Sequence, residues 1–389
     1  MVKVGIIMSV SKDWMGGLNY FKNILKAISL IENRKIEFVL FFGEDAEKDI
    51  IESFKNLGII ITTPLLNKTS AGGFFNTLKI RFFKKNIFAK NIFQKNNIEV
   101  VSYSGTYPKK FKFKTINWIP DFQHIHMPWM FSFMENRYRD FLFLMYARYS
   151  NAVILSSHDA QNDFIKAYPK YKEKSYVLQF VSQPNEKIYE MTDTKKTEQK
   201  YGFSGKFFYL PNQLWKHKNH MVVIRAVNLL KKEGKEILVL CTGHMEDYRN
   251  KNFKEEVLKY IKDNNLENNF KFLGLIDYDD VLTLMRHCIS IVNSSLFEGW
   301  SSTVEEAKSV GKNMILSNLN VHKEQNPPNS IYFDPHNEKE LAEKLWNKWQ
   351  ESEGGPDFEL EKVARENIEA RTKNFGRAYQ DIVMSIVGK

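Results

Sequence analysis

The chain has little cysteine, no long apolar run and, over one extended stretch, almost no acid. Its 389 residues include only Cys241 and Cys288, too few for a disulfide framework. Both lie in apolar, strand-like surroundings, so buried reduced thiols and a cytoplasmic setting are expected. No window approaches the roughly 18 uninterrupted apolar residues that a membrane-spanning helix requires. The first apolar run, residues 4–10, is followed directly by Lys12 and Asp13. It is too short for a signal peptide and reads as a first buried strand. Low-complexity segments and short internal repeats are absent. With 43% hydrophobic and 26% charged residues, the chain is apolar enough to fold into a globular protein. Its length favours about two domains.

The shortage of acid is local. Across residues 53–120 the only acid is Glu99, against twelve lysines and arginines, within a chain whose net charge is +10. Residues 74–85 interleave Phe74, Phe75, Phe82 and Phe83 with Lys79, Arg81, Lys84 and Lys85. Such a pattern suits the surface of an anionic membrane, where rings insert and cations meet headgroups. The competing reading is a solvated helix whose apolar side faces the core. No nucleic-acid recognition motif accompanies the basic stretch, so nucleic acid is not expected as a partner.

Strand-like runs alternate with helix-length amphipathic segments, the signature of βα units around parallel sheets. In the first half, strands are expected at 2–8, 36–42, 99–103, 115–118, 152–156 and 177–180. Helices are expected at 18–31, 45–56, 76–95, 137–150 and 158–168. A polar stretch at 191–200 reads as a hinge or as a short helix leading out of it. The pattern then restarts with strands at 207–210, 237–242, 271–274, 289–293, 314–317 and 331–333. Helices at 219–233, 251–264, 279–286 and 302–310 fall between them. The expected fold class is α/β, with two Rossmann-like doubly wound domains facing a cleft. Such sheets bind ligands outside the carboxyl ends of their strands.

The richest segment is Ser294-Ser295-Leu296-Phe297-Glu298-Gly299-Trp300-Ser301-Ser302-Thr303-Val304-Glu305-Glu306. A strand ends, a tight turn follows and a helix begins near Ser302. Free amides at a helix N-terminus behind a small-residue loop suit a diphosphate. A carboxylate at Glu306 could accept hydrogen bonds from two neighbouring ribose hydroxyls. The plain alternative is a capped helix with its glutamates in solvent. A second basic segment, Leu210 to His220, places Lys216 and Lys218 at a strand-to-helix junction, where anions bind. Met15-Gly16-Gly17-Leu18 offers a similar junction near the N-terminus, although turns need glycine in any case.

The pair Glu298 and Glu306, with seven residues between them, resembles the signature of the family-4 group of retaining glycosyltransferases with the GT-B fold. The resemblance implies a donor sugar near Glu298, a diphosphate on the backbone of Gly299, Trp300, Ser301, Ser302 and Thr303, and a ribose on Glu306. Ser301, Ser302 and Thr303 replace the commoner Gly, Leu and Pro. Lys218 matches the lysine that contacts the diphosphate. Asn212 stands where many members carry arginine, with Lys216 able to compensate. Ile276, in Phe272-Leu273-Gly274-Leu275-Ile276, matches the turn whose backbone reads the base. Gly243 matches the small residue that lets the nucleotide approach, and Gly16 and Gly17 match the family's first loop.

Asn117-Trp118-Ile119-Pro120-Asp121-Phe122-Gln123-His124-Ile125-His126 resembles a subgroup carrying a Trp-Ile-Pro-Asp-Phe-Gln-His run. Asp121 is then a candidate for orienting an acceptor hydroxyl, and His124 or His126 for supplying an imidazole. Each histidine could equally be a satisfied core residue. No carboxylate or cysteine cluster completes a metal site around them.

The resemblance implies three regions: residues 1–190 binding acceptor, residues 191–364 binding the nucleotide sugar, and a helix at 365–389 crossing back to the first domain. The implied activity is retaining transfer of a hexose-type sugar from a UDP- or GDP-linked donor, with no metal or other cofactor. The expected acceptor is a glycan or lipid-linked glycan in surface polysaccharide assembly, at or near the inner face of the membrane. A GT-B-fold sugar-nucleotide epimerase and a non-enzymatic basic membrane-binding protein are the alternatives.

Overall fold

A computed structural model describes residues 1–8, 15–67, 91–107, 111–184, 186–190 and 193–388. The basic aromatic run 74–85 lies outside the described residues, as does the expected helix 76–95 apart from its helical end at 91–95. The chain divides into two compact units. The first comprises Met1–Phe122, Phe133–Val181 and Ala370–Lys389; the second comprises Gln123–Ser132 and Ser182–Glu369. Each is a parallel sheet of the Rossmann type, in accord with the α/β doubly wound expectation.

The first unit holds strands β1 (Val2–Ile7), β2 (Ile36–Gly43), β3 (Ile59–Thr63), β4 (Val100–Ser102), β5 (Lys114–Ile119), β6 (Ala152–Leu155) and β7 (Ser175–Val177). Their order in the sheet is β3-β2-β1-β4-β5-β6-β7. Strands covered on both faces read as near-continuous apolar runs, and β2, Ile-Glu-Phe-Val-Leu-Phe-Phe-Gly, is buried along nearly its whole length. The sheet reverses direction of winding between β1 and β4, which places a switch point beside the helix Met15–Ser29.

The final helix, Phe358–Val387, contributes its last part to this unit. A Cβ on Gly376 would lie 2.6 Å from the Ala27 carbonyl oxygen, so glycine is what allows the two helices to meet. Tyr379 is fully buried and donates to Ser102 Oγ at 2.8 Å. Gln380 Oε1 accepts from the Lys35 amide at 2.7 Å.

The second unit holds β8 (Phe208–Leu210), β9 (Val239–Thr242), β10 (Phe270–Gly274), β11 (Ile291–Asn293), β12 (Met314–Ser317) and β13 (Ile331–Phe333). Their order is β10-β9-β8-β11-β12-β13. The period of two along a strand separates its cores. Phe208 and Leu210 join one buried cluster with Val223, Val239 and Leu345, whereas Tyr209 joins the other with Leu240, Met285 and Val304. Cys241 and Cys288 are buried free thiols. Among the described residues, no helix is long and apolar enough to cross a membrane.

Several elements differ from their sequence expectations. Strand β3 was not anticipated; it is the edge strand of its sheet, with every position exposed or half-buried. Helix 45–56 contracts to Lys48–Glu52, and strand 177–180 moves to Ser175–Val177. The last helix begins at Phe358 rather than at 365. Helices Asn320–Gln325 and Glu338–Glu351 were not expected either.

Candidate functional site

In the second unit, the carboxyl ends of β8 and β11 carry two loops that grip each other. After β8 the chain runs through Asn212 and Trp215 into a single helical turn, Lys216–Lys218. Asn219 takes a left-handed conformation with φ 56° and so lets the helix His220–Lys232 start in a new direction. Asparagine tolerates that region better than branched residues do. Its side-chain amide donates to Pro335 O at 2.8 Å. After β11, Ser294 Oγ donates to Lys218 O at 2.9 Å. The Leu296 amide donates to His217 O at 2.8 Å. The loops close through an ion pair, Lys218 Nζ to Glu298 Oε1 at 2.7 Å.

The helix Ser302–Val310 is capped by Ser301, whose hydroxyl accepts from the Val304 amide at 3.4 Å and from Asn293 Nδ2 at 2.9 Å. Gln325 clamps the same residue: the Ser301 amide donates to Gln325 Oε1 at 3.2 Å, and Gln325 Nε2 donates back to Ser301 O at 2.9 Å. Ser301 is therefore committed by both side chain and amide. The amides of Ser302 and Thr303 occupy the first turn and have no partner within the helix. They point where an anion would be stabilised by the helix dipole.

Charge at this site is set by burial and by partners. Burial pushes the Glu298 carboxyl up, but the nearby Lys218 charge, then His322, then hydrogen bonds from Lys218 and Ser295 outweigh it, and the group sits at about 2. The Ser295 hydroxyl lies 2.6 Å from Glu298 Oε1. Burial raises Glu306 to about 7, offset in part by a hydrogen bond from the Tyr278 hydroxyl at 3.2 Å. His217 and His220 are both lowered to about 3, chiefly by burial. His322 is lowered as well, first by burial, with Glu298 pulling the other way. These imidazoles are neutral at physiological pH.

Neutral rings with one nitrogen engaged present a lone pair on the other. His220 Nε2 donates to Asn212 O at 3.2 Å, and His322 Nδ1 donates to Ser317 O at 2.9 Å. Among the described residues, His220 Nδ1 and His322 Nε2 are buried without a partner, as are His217 Nδ1, Asn212 Nδ2 and Gln213 Oε1. Buried polar atoms are nearly always satisfied. Those on residues 212–220 and at His322 belong to the loops around Lys218 and Glu298.

The structure brings most of the sequence-derived candidates into this one unit. Lys216 is exposed, and its amide donates to Asp247 Oδ2 at 3.0 Å. Gly243 has φ 132°, and a Cβ there would fall 2.8 Å from Gln213 Cα, so backbone packing against residues 212–213 already demands glycine. Ile276 packs on the cluster that contains Val304 and Ala307, next to the helix that carries Glu306. Thr303 Oγ1 donates to Pro211 O and lies 3.4 Å from Asn212 Oδ1. Gly299 and Trp300 are half-buried, and Ser302 is exposed.

His124 is also part of the second unit, through Gln123–Ser132. It is buried, whereas His126 is exposed with its ring 5.2 Å from that of Phe297. Three candidates lie in the first unit. Gly16 and Gly17 open the helix Met15–Ser29, and Asp121 follows β5, half-buried. Sequence reasoning missed Asn293, Ser295, Gln325, His322, Tyr278 and Asp247. Asn293 and Ser295 adjoin the Glu298 motif in sequence, whereas Gln325, His322, Tyr278 and Asp247 are delivered by topology.

Comparison with known proteins accords with this geometry. Residues 193–371 match the family described as glycosyl transferases group 1. No curated protein matches the chain in sequence. Among solved structures, the Anabaena protein Alr3699/HepE, in complex with UDP and glucose, aligns with TM-score 0.67 and 17% identity over 100% of both chains. Sucrose-phosphate synthase from Thermosynechococcus elongatus aligns with TM-score 0.63 and 12% identity over 100% of this chain and 98% of that one. WaaG, a glycosyltransferase involved in lipopolysaccharide biosynthesis, gives TM-score 0.60 and 14% identity over 100% of both. At such identities the likeness establishes a shared GT-B fold.

Proposed function

From a second unit whose residues match glycosyl transferases group 1, we propose that this protein is a retaining glycosyltransferase using a nucleoside diphosphate hexose. The observation that carries this reading is the Lys218–Glu298 pair, 2.7 Å long, set beside the open first turn of Ser302–Val310. In the donor complex, Lys218 turns from Glu298 toward the diphosphate, which also meets the amides of Ser302 and Thr303. As the bond between the anomeric carbon and the diphosphate oxygen breaks, charge develops on the leaving oxygen where these donors already point. That is electrostatic catalysis by preorganised groups. The acceptor oxygen then bonds to the anomeric carbon on the face that the diphosphate vacates, which keeps the configuration. Its proton passes to the departing diphosphate.

Ionised Glu306 accepts both ribose hydroxyls, displacing the Tyr278 hydroxyl. Glu298, freed from Lys218, faces the sugar, and the lone pairs on His220 and His322 accept hydrogen bonds within the site. Lysines and helix amides supply the positive charge, so a metal is not required. UDP is the first donor base to test, since HepE was solved with UDP and glucose, with GDP beside it. The acceptor is a glycan or lipid-linked glycan, a reading supported by the basic aromatic run 74–85 and by WaaG, a fold relative involved in lipopolysaccharide biosynthesis.

A thermal-shift screen against UDP, GDP, ADP, CMP and their common sugars, without metal, tests the donor reading. A ligand present at a hundred times its Kd stabilises the native state by about 2.7 kcal/mol, so a shift of several degrees is expected with one nucleoside diphosphate. Millimolar ligand without any shift would sink the proposal.

A further inference from the structure

We propose that Arg249 is a positioning residue for the sugar end of this site: it fastens the segment Gln123–Ser132 to the basic turn Lys216–Lys218. This rests on the donor reading above and adds a residue and a segment to it.

The segment, Gln-His-Ile-His-Met-Pro-Trp-Met-Phe-Ser, is flanked in sequence by the first unit yet packs as part of the second. It forms two short helical turns, Gln123–His126 and Pro128–Met130. Helices this short have no stability of their own, so the segment is placed by what holds it. One attachment is apolar. Met127, Met130 and Phe131 form a buried cluster against Leu296 and Phe297, the two residues that lead into Glu298.

The other attachment is Arg249, whose guanidinium carbon lies 5.3 Å from the Phe131 ring centre and 5.2 Å from those of Trp215 and Tyr248. One of its terminal nitrogens donates to Gln123 Oε1 at 3.3 Å. Its charge is balanced by Asp247, 3.7 Å away and fully buried. The same carboxylate accepts from the Lys216 and Arg249 amides and from Asn250 Nδ2, each at 3.0 Å. Lys216 Nζ lies 5.5 Å from the Trp129 ring centre, a second tie between turn and segment.

One buried ion pair therefore has a carboxylate fixing the basic turn and a cation gripping the segment. Apolar side chains could fill such a space at no loss of stability. What a planar guanidinium set among three rings and hydrogen-bonded to Gln123 adds is fixed geometry. Both chains of contact end on the site, one at Lys216–Lys218 and one at Leu296–Glu298. The segment touches both ends, but the basic turn keeps its own anchor in the Asp247 carboxylate, whereas Leu296 and Phe297 next to Glu298 pack on the segment itself. Disturbing it therefore acts on the sugar more than on the nucleotide. Small misplacements of groups around a reacting centre lower rates by about a hundredfold.

Titrations of UDP against UDP-glucose, and of GDP against GDP-mannose, test this in the wild type and in Arg249→Met, Arg249→Lys and Gln123→Leu. Arg249→Met should leave nucleoside diphosphate affinity within a few-fold while affinity for the nucleotide sugar falls about tenfold or more. Arg249→Lys should recover part of that loss, and Gln123→Leu should show a smaller shift in the same direction. Should Arg249→Met fail to fold, the other two variants carry the comparison. Equal losses for both ligands would mean a merely structural role, and no change in either would mean no role; each overturns the proposal. Wild-type protein binding none of the four ligands would instead remove the donor reading itself, and this inference with it.

Discussion

The two sheets end in opposite chemistry. In the first unit, the carboxyl ends of β4 and β5 are filled by aromatic rings whose polar atoms are satisfied. Tyr20 stacks on Trp118 at 4.4 Å, and the Tyr20 and Tyr103 hydroxyls lie 2.8 Å apart. Tyr103 lies nearly parallel to Tyr379, and Trp118 Nε1 donates to Ser156 Oγ at 3.0 Å. In the second unit, the same part of the sheet carries Lys218, Glu298 and Glu306 together with polar atoms that lack partners among the described residues. A region whose groups satisfy one another is built for stability. One whose groups wait for a partner would gain from a ligand, because an unmet buried polar atom is destabilising until something fills the gap.

This contrast predicts that stability and binding separate by unit. The largest effect should come from Lys218→Met, which strands Glu298 as a buried unpaired charge. Losing one partner of such a pair costs about 3–5 kcal/mol, and nucleotide binding should vanish with it. Adding Glu298→Gln should restore most of the melting temperature without restoring binding. Return of both together would break the distinction. Tyr379→Leu in the first unit should lower stability by about 2–3 kcal/mol by denaturant unfolding, while nucleotide affinity stays unchanged. A parallel loss of affinity would show that the aromatic stack serves the site.

The smallest effect is a pH dependence. Glu306 sits at about 7, above its ordinary 4.5. A raised carboxyl contributes stability below the unfolded value, and that contribution is lost as pH rises through the folded one. Ligand-free stability should therefore slope downward between about pH 4.5 and 7. Nucleotide affinity should slope upward through pH 7, because the ionised carboxylate is the better acceptor for ribose hydroxyls. Glu306→Gln should flatten both slopes, and unchanged slopes would take Glu306 out of the site.

Much of this was legible in the sequence, for identifiable reasons. Buried strands such as β2 and β12 announce themselves as apolar runs bounded by turn residues. Lys218, Glu298 and Glu306 stand at strand-to-helix junctions, where the chemistry of an anion site is written locally. Strand β3 was hidden because it is an edge strand whose positions are all exposed or half-buried, so that it shows no buried face. Gln325 and His322 were hidden because they reach Ser301 and the Glu298 environment only through the pairing of β11 with β12. The attachment of Gln123–Ser132 to the second unit could not be read from a segment lying between two parts of the first.

The most direct test of the central claim is calorimetric titration of wild type and Lys218→Met with UDP and with GDP, in buffer free of divalent metal. Wild type should bind one of the two and Lys218→Met neither, because the charge that neutralises the diphosphate is gone. Equal binding by the two proteins, or none by wild type, would contradict the assignment of this loop pair as the donor site.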